Sequence, residues 1–238
     1  GSTSKGKTVR GDEPIRSVLQ WDKDDCAAVG LVKFDLLGLG MLEVLHGCID
    51  FVREVHGDAG VDLATIPQED EVYDMLCRAD SVGVFQVESA GMKRALVDMH
   101  PDRFEDLIAL VALYRPGPMA NIPTYCARKL GREKVTYIHP SLAPILEPTY
   151  GVIAYQEQVM QIARDLAGYS FGEADLLRRA MGKKIRSEME KQRVRFMQGA
   201  TDRGIREDDA NAIFEACAKF ADYGFNKSHS APYALITY

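Results

Sequence analysis

The feature that most constrains the fold of this chain is a succession of helix-forming segments that follows Gly91. Apolar residues recur in these segments at spacings of three and four, which places them on one face of a helix. The pattern predicts a short helix with loops over 119–150 and longer helices over 101–113, 156–166, 171–181, 185–201 and 208–221. The chain is therefore predicted to be mostly α, within an α+β class because of the segment described below.

Local signals mark where several of these helices begin and end. Pro101 suits a first helical position, and acidic residues follow it. Ser170 and Glu173 have the spacing of a capping box, which predicts a helix start at 171. Gly168 and Gly182 are predicted to stop the two neighbouring helices, since glycine readily adopts the left-handed conformation of a helix end.

The N-terminal third carries the predicted β component. Apolar and polar residues alternate over 29–36, which predicts a strand with Lys33 and Asp35 on one face. Two glycines end this segment, and helical spacing resumes over 41–55. A short helix is predicted over 71–78, and a short extended segment over 79–88.

Composition excludes several classes of protein. The 238 residues are 46% hydrophobic and 27% charged, as in a globular protein of one large domain or two small ones. No apolar run approaches the ~18 residues that a membrane span requires, so no membrane partner is predicted. Five scattered cysteines without a CxxC pair predict reduced thiols in the cytoplasm rather than disulfides or a zinc site.

Both ends of the chain suggest that it is a piece of a longer protein. Gly1 and Ser2 resemble the scar left by a protease, and the small polar residues after them predict a flexible lead-in over 1–20. The last eight residues are largely apolar and lack a stop signal. We therefore expect that the domain was excised from a larger chain.

A basic cluster suggests the kind of ligand. Between Arg178 and Arg195 there are eight Arg or Lys residues and two Glu residues, although the whole chain has a formal net charge of −6. With little acid expected nearby, Arg178, Arg179, Lys183 and Lys184 together predict contact with phosphate. The alternative is that each is a solvated charge near a helix C-terminus, which is favourable by about 0.3–1 kcal/mol.

A second segment suited to phosphate follows Gly224. Asn226, Lys227, Ser228 and His229 are polar donors just before a predicted helix, whose positive N-terminal end attracts anions. The alternative is a simple N-cap by Ser228 or by Ser230. A nucleophilic Ser–His pair is a poor interpretation, because adjacent residues seldom point at each other.

Two further residues have open interpretations at this point. Asp35 either pairs with Lys33 or binds Mg²⁺ through its carboxylate, although a single carboxylate cannot form a two-metal site. Lys93 either reaches a phosphate or is a lysine at the start of a helix. The chain alone is not expected to contain a complete catalytic site.

Six ordered segments resemble the alpha subunit of bacterial DNA polymerase III, a family of replicative polymerases. They include Arg-Pro-Gly-Pro at 115–118 and Phe-Asn-Lys-Ser-His at 225–229. The six segments are 30–39, 84–89, 114–118, 155–162, 178–184 and 223–229. The resemblance covers nearly the whole chain from about Trp21. It implies a palm-derived strand over 21–40 and a helical fingers domain over 41–238.

The resemblance also implies roles for individual residues. Asp35 would be the third metal-binding carboxylate of the polymerase site, while the other two would lie upstream of this chain. Arg115 would support the nucleotide pocket or contact DNA. Candidates for binding the triphosphate of the incoming nucleotide are Lys93, Arg178, Arg179, Lys183, Asn226, Lys227, Ser228 and His229.

The function implied is that of a fragment of a DNA-directed DNA polymerase, a nucleotidyltransferase that uses Mg²⁺. Its expected partners are a deoxynucleoside triphosphate (dNTP), primer–template DNA, the palm and thumb, and replisome components such as the sliding clamp. The fragment alone is expected to be inactive. Two alternatives remain open from the residues themselves: a free-standing helical nucleic-acid-binding module, and a protein-interaction domain whose charges serve only solvation.

Two details of the resemblance point in different directions. Residues 22–42 are closer to an error-prone branch of the family, whereas 114–116 and 155–157 are closer to the replicative branch. Pro232 stands where a small residue, usually Ala, is expected. Its position predicts an altered start of the last helix.

Overall fold

The structure is a computed structural model that describes residues 3–5, 17–32, 34, 38–57, 62–63, 65–183, 186–221 and 223–238. The chain divides into two compact units, Gly1–Gly60 and Val61–Tyr238. Among the described residues no helix is long and apolar enough to cross a membrane. The prediction of a mostly α chain is confirmed, since helices make up most of the described residues.

The first unit contains two short strands and two helices. Strands β1 (Thr3–Lys5) and β2 (Ser17–Leu19) pair antiparallel, with Thr3 opposite Leu19. Asp22 is the N-cap of helix α1 (Lys23–Ala28), and its side chain accepts hydrogen bonds from two backbone N–H groups of the first turn. Helix α2 (Gly40–His56) matches the helix predicted over 41–55 and ends at a left-handed glycine.

The strand predicted over 29–36 is not present in the described residues. The backbone N–H of Val29 donates to the Asp25 carbonyl at 3.2 Å, and that of Leu31 donates to the Cys26 carbonyl at 2.9 Å. The chain therefore turns back on the end of α1 instead of pairing with a strand. Lys33, Asp35 and Leu36 lie outside the described residues, and β1 and β2 lie upstream of the predicted segment.

The second unit is helical. Helices α3 to α7 are Asp70–Cys77, Ala90–Met99, Phe104–Leu113, Ile122–Lys129 and Ala143–Leu146. Helices α8 to α12 are Gln156–Ala167, Phe171–Lys183, Arg186–Thr201, Glu207–Ala221 and Lys227–Thr237. Short 3₁₀ turns occupy Pro118–Asn121, Pro140–Leu142 and Glu147–Thr149. The sequence predicted one short helix with loops over 119–150, whereas the structure has two α-helices and three 3₁₀ turns there.

Two apolar clusters form the core of the second unit. The first joins α3 to α6 with α12, and its buried residues include Leu96, Leu110 and Ala234. The second joins α7 to α11, and its buried residues include Ile162 and Phe196. Helix α5 is buried from Asp106 to Leu113, because α12 packs along it in the first cluster. Both clusters are needed to position the site described below.

Three predicted boundaries differ from the structure. The 79–88 segment is a series of turns, with positive φ at Ala79, Gly83 and Gln86, so the extended prediction was wrong. Helix α5 begins at Phe104 rather than at Pro101. Gly182 lies inside α9 and does not stop it, since the helix continues to Lys183.

The last helix also differs at its start. The N-cap of α12 is Asn226, whose side chain accepts a hydrogen bond from the backbone N–H of His229 at 3.1 Å. Ser230 is buried, and its hydroxyl donates to the Lys227 carbonyl at 3.1 Å, so neither serine serves as the N-cap. Pro232 lies within α12, which begins at Lys227.

Candidate nucleotide-binding site

Gln156, the first residue of α8, connects two predicted site segments that are distant in sequence. Its backbone N–H donates to the Phe225 carbonyl at 2.8 Å, and its side-chain amide donates to the Gly224 carbonyl at 2.7 Å. Its side-chain oxygen accepts a hydrogen bond from Nη1 of Arg178 at 3.2 Å. The 223–229 segment and the arginine on α9 are thus joined through one side chain.

Arg115, which also precedes the 223–229 segment in the sequence, is a second residue that fixes it. Its Nη2 donates to the Tyr223 carbonyl at 2.8 Å, and its guanidinium lies 4.0 Å from the centre of the Phe225 ring. Burial lowers the pKa of Arg115. Gly117, a glycine with positive φ, lies so close to the ring of Tyr223 that a Cβ at this position would overlap the ring. The Arg-Pro-Gly-Pro turn is therefore a support for the segment.

The N-terminal end of α12 already holds a carboxylate from this chain. Both oxygens of Glu157 accept from the backbone N–H of Lys227 at 2.9 Å. The Lys227 ammonium lies 5.5 Å from the centre of the Tyr155 ring. A carboxylate at this position indicates that the helix end attracts anions, as its dipole requires.

His229 belongs to a ladder of aromatic rings along α12. Its ring centre lies 5.2 Å from that of Phe225 and 4.7 Å from that of Tyr233. Tyr233 in turn lies 5.7 Å from Phe85, in the loop before α4. His229 and its neighbours Asn226, Lys227 and Ser228 are exposed, so their side chains are accessible to a ligand.

Lys93 lies in the second turn of α4 and is half-buried. Ser89 caps this helix by accepting a hydrogen bond from the backbone N–H of Met92 at 3.2 Å. Within the described part of the chain, the Lys93 side chain forms no hydrogen bond or ion pair. The structure therefore shows Lys93 as an unpaired cation near the start of a helix and records no polar contact between it and the 223–229 segment.

The two arginines of α9 are paired with an acid that sequence reasoning missed. Nη2 of Arg178 lies 2.8 Å from one oxygen of Asp175, and Nη2 of Arg179 lies 2.8 Å from the other. The hydrogen bond from Arg178 lowers the pKa of Asp175. The expectation of little acid nearby was wrong, because Asp175 lies three and four residues before the arginines, just ahead of the stretch whose charges were counted.

Much of the remaining basic cluster is also neutralised. Arg195 pairs with Glu173 at 2.7 Å and Lys191 with Glu188 at 3.6 Å, and Arg193 pairs with Glu215. The side chains of Lys183, Lys184 and Arg186 are outside the described part of the structure. The described surface of α10 therefore carries far less free positive charge than the sequence suggests.

The predicted metal ligand is not among the described residues. Asp35 lies outside them, and the described residues contain no group of three or more His, Cys, Asp or Glu that could hold a metal ion. The Mg²⁺ site consequently remains a prediction from the resemblance.

The glutamine pair that flanks Glu157 is a part of the site that sequence reasoning did not assign. Gln158 is buried and accepts from the backbone N–H groups of Ala154 and Tyr155 at 2.8 and 3.0 Å. It fixes the start of α8, where Gln156 and Glu157 then reach the 223–229 segment. The segment 155–162 was noted for its resemblance alone, which was the one signal that pointed to these residues.

Comparison with known proteins identifies the family. Residues 41–204 match the family model described as the bacterial DNA polymerase III alpha subunit finger domain. This match covers more than half of the chain, so the chain belongs to that family. The helical architecture of the second unit agrees with this assignment.

Individual relatives give the same result. The chain is 50% identical, over 95% of its length, to a DNA polymerase III subunit alpha of Escherichia coli (strain K12). The identity is 52% over 95% of the chain for that of Haemophilus influenzae, and 47% over 100% for that of Caulobacter vibrioides. The chain spans 20%, 20% and 22% of the lengths of these relatives, respectively.

Proposed function

We propose that this chain is the fingers part of a DNA-directed DNA polymerase and that it binds the triphosphate of the incoming dNTP. The observation that carries the proposal is the hydrogen-bonded connection from Arg178 through Gln156 to Gly224. It places a cation of α9 beside the start of the 223–229 segment. A planar guanidinium and a helix N-terminus are the two protein groups best suited to phosphate oxygens.

In this proposal the candidate residues contribute different chemical groups. Arg178 and Arg179 would each present two N–H groups to phosphate oxygens, and Lys227 would contribute a point charge. His229 would contact the ligand from the exposed side of α12. Lys93 and Lys183 remain candidates for the same phosphate chain. Arg115 would act indirectly, since its described contacts hold Tyr223 and Phe225 in place.

Two carboxylates of the chain currently occupy the groups that a triphosphate would use. Asp175 pairs with Arg178 and Arg179, and Glu157 accepts from the N–H of Lys227. A bound phosphate would replace these carboxylates, so the free energy of breaking their pairs is subtracted from the binding free energy. We therefore expect that the isolated chain binds a nucleotide weakly.

The whole protein would supply the rest of the reaction. We propose that residues 21–40 come from the palm and 41–238 from the fingers, and that Asp35 contributes one carboxylate to a Mg²⁺ site. Bound Mg²⁺ would stabilise the charge on the transferring phosphoryl group. The palm, thumb, primer–template DNA and sliding clamp would be partners in the cytoplasm, and this chain alone would catalyse no primer extension.

The test is Mg²⁺-dependent binding of a fluorescent dNTP at low salt to the unmodified chain and to Arg178→Ala. Arg206→Ala is the matched control, because Arg206 is an exposed arginine that pairs with Asp209 at 3.0 Å. The proposal requires that Arg178→Ala weakens binding while Arg206→Ala does not. Equal effects in the two variants would remove Arg178 from the site.

If the isolated chain binds no nucleotide, the same two substitutions are compared in the full-length polymerase. Arg178→Ala is then expected to lower kcat/KM for the dNTP by about 10-fold or more, as the loss of a charged contact to phosphate implies. A separate helical nucleic-acid-binding function is less well supported, because Arg193 and Arg195 on α10 pair with Glu215 and Glu173.

A further inference from the structure

The second unit contains a cavity of about 540 Å³ that is separate from the arginines of α9. Its wall includes residues of both apolar clusters, among them Val152 of the first cluster and Leu146, Ile162 and Ile213 of the second. Cavities of roughly 300–1,000 Å³ with apolar walls and a few polar groups are typical sites for small organic ligands. The volume and the lining of this cavity are therefore suited to one such molecule.

Among the described residues of the cavity wall, the charged groups are two cations, Arg128 and Lys219. Lys219, on α11, is exposed and forms no hydrogen bond or ion pair with the described residues. Arg128 is largely buried and is already engaged, with Nε donating to Glu133 at 2.8 Å and Nη1 to the Tyr150 carbonyl at 3.3 Å. None of the described residues that line the cavity is acidic. Among the described residues Lys219 therefore has no competing acidic partner and can approach an anionic group.

Uncharged polar groups lie on the same wall. Asn121 and Thr124, on the turn and helix that follow Gly117, have side chains without hydrogen bonds to described residues. Their amide and hydroxyl groups would otherwise be satisfied by water, so a ligand with an oxyanion can replace that water at little cost. The apolar surfaces of Ile153 and Ile213 would cover the remainder of such a molecule.

We propose that this cavity binds a small organic anion that has an apolar, ring-sized body and one acidic group. The acidic group would lie against Lys219, and the body would lie between α11 and the segment 151–153. This site goes beyond the proposed nucleotide site, because its apolar walls do not suit a triphosphate and none of the proposed triphosphate contacts lines it.

The cavity lies next to the contacts that hold the 223–229 segment in place. Gly117 and Tyr223 both line it, and Tyr223 is the residue whose carbonyl accepts from Arg115. An occupant would therefore touch Tyr223, the first residue of the 223–229 segment. Binding of a ligand in the cavity is expected to perturb Phe225 and Asn226.

The test uses 8-anilinonaphthalene-1-sulfonate as the probe, since it has an apolar ring system and one sulfonate. The 238-residue chain is labelled with ¹³C at the isoleucine methyl groups and titrated with the probe. Methyl shifts are expected at Ile153 and Ile213, which line the cavity, and not at Ile108 and Ile205, which are buried elsewhere. Shifts of equal size at all four methyl groups, or at none, would overturn the proposal.

Substitution of Lys219 tests the acidic group. Lys219→Met is expected to weaken the Kd of the probe about fivefold, the size expected from loss of an exposed ion pair. Lys219→Arg should retain most of the affinity. Lys191→Met is the matched control, since Lys191 is an exposed lysine on α10 that lies outside the cavity. An equal loss in Lys191→Met, or none in Lys219→Met, would contradict the assignment.

A filled cavity provides the last arm of the test. Ala216 lines the cavity from α11, so Ala216→Trp would place a large ring inside it. The variant should bind the probe at least 10-fold more weakly, the change that corresponds to about 1.4 kcal/mol. Thermal unfolding shows whether this variant is folded, and the methyl shifts of the unmodified chain decide the matter if it is not.

Discussion

At the scale of single residues, the charge of the site depends on partners as much as on the cations themselves. Two hydrogen-bond partners, Asp175 and Gln156, define the position of Arg178, and Gln156 in turn holds Gly224. Its side chain is 27% exposed, whereas that of Arg179 is 62% exposed. Arg178 is thus fixed in the site, while Arg179 shares the same carboxylate from the outer side of α9.

Removal of this carboxylate should strengthen nucleotide binding. Asp175→Asn keeps the shape of the side chain and frees both arginines for phosphate, so we expect dNTP binding at low salt to tighten by about threefold to fivefold. Fluorescence titration of the isolated chain measures this change. Asp209→Asn, which frees Arg206 instead, is the control, and unchanged or weaker binding by Asp175→Asn would show that the arginines are not limited by this pair.

Buried tyrosines should limit the stability of the chain at high pH. Burial raises the pKa of Tyr73 to about 12, and its hydroxyl donates to Gln68 at 2.6 Å. In the unfolded chain this hydroxyl ionises at about pH 10. The folded state therefore loses stability relative to the unfolded state as the pH rises from there towards the pKa of the folded state. Below pH 10 both states are protonated, and Tyr73 causes no pH dependence.

The measurement is urea unfolding at intervals from pH 8 to pH 11.5. The unmodified chain should lose free energy of unfolding above pH 10, and Tyr73→Phe should lose less over the same range. Tyr169→Phe should behave in the same way, because burial also raises the pKa of Tyr169 to about 12. An identical pH dependence in all three proteins would refute this assignment.

At the scale of secondary structure elements, the site is built where helix ends meet. The start of α8 supplies Gln156 and Glu157, the start of α12 supplies Lys227, and α9 supplies Arg178. These helix ends are held by close packing behind them. Gly199 of α10 lies against the end of α8, where a Cβ would overlap the Ala167 carbonyl oxygen.

A matched pair of glycine substitutions tests this packing. Gly199→Ala should lower the free energy of unfolding by about 1–3 kcal/mol, because the added methyl group pushes α10 away from α8. Gly172→Ala, in the first turn of α9, adds a methyl group with no heavy atom within 4 Å and should leave stability within about 1 kcal/mol of the unmodified value. Urea unfolding compares them, and equal effects would mean that the contact at Gly199 relaxes without cost.

At the scale of the whole molecule, the described apolar core lies in the second unit. Every buried apolar residue among those described lies in 73–238. The family match ends at 204, yet α11 supplies Ile213 and Phe214 to the second cluster and α12 supplies Ala234 to the first. The structural domain therefore extends beyond the matched residues.

Two shortened chains test where this domain ends. The chain 61–238 should unfold cooperatively, because it contains both apolar clusters. The chain 61–204 should not, since it loses several large core residues that each contribute about 2–5 kcal/mol, against a typical domain stability of about 5–15 kcal/mol. Circular dichroism during thermal unfolding distinguishes the outcomes, and a cooperative transition in 61–204 would show that α11 and α12 are not part of the core.

The sequence by itself determined most of the helical elements and the family. Helices at 41–55, 71–78, 156–166 and 208–221 lie within one or two residues of their predicted bounds, because periodicity and caps are local properties. The capping box at Ser170 and Glu173 is also present, with contacts of 2.8 and 3.3 Å. The resemblance carried by the ordered motifs belongs to the same local information.

Only the tertiary structure decided how these parts form a site. The bond from Gln156 to Gly224 spans 68 positions, and that from Arg115 to Tyr223 spans 108, so no local pattern reveals them. The alternation over 29–36 predicted a strand, but a strand requires a partner, and the described residues there fold back on α1 instead. Spacing places a charge on a helix face, whereas the contacts between helices decide which carboxylate or phosphate that charge can meet.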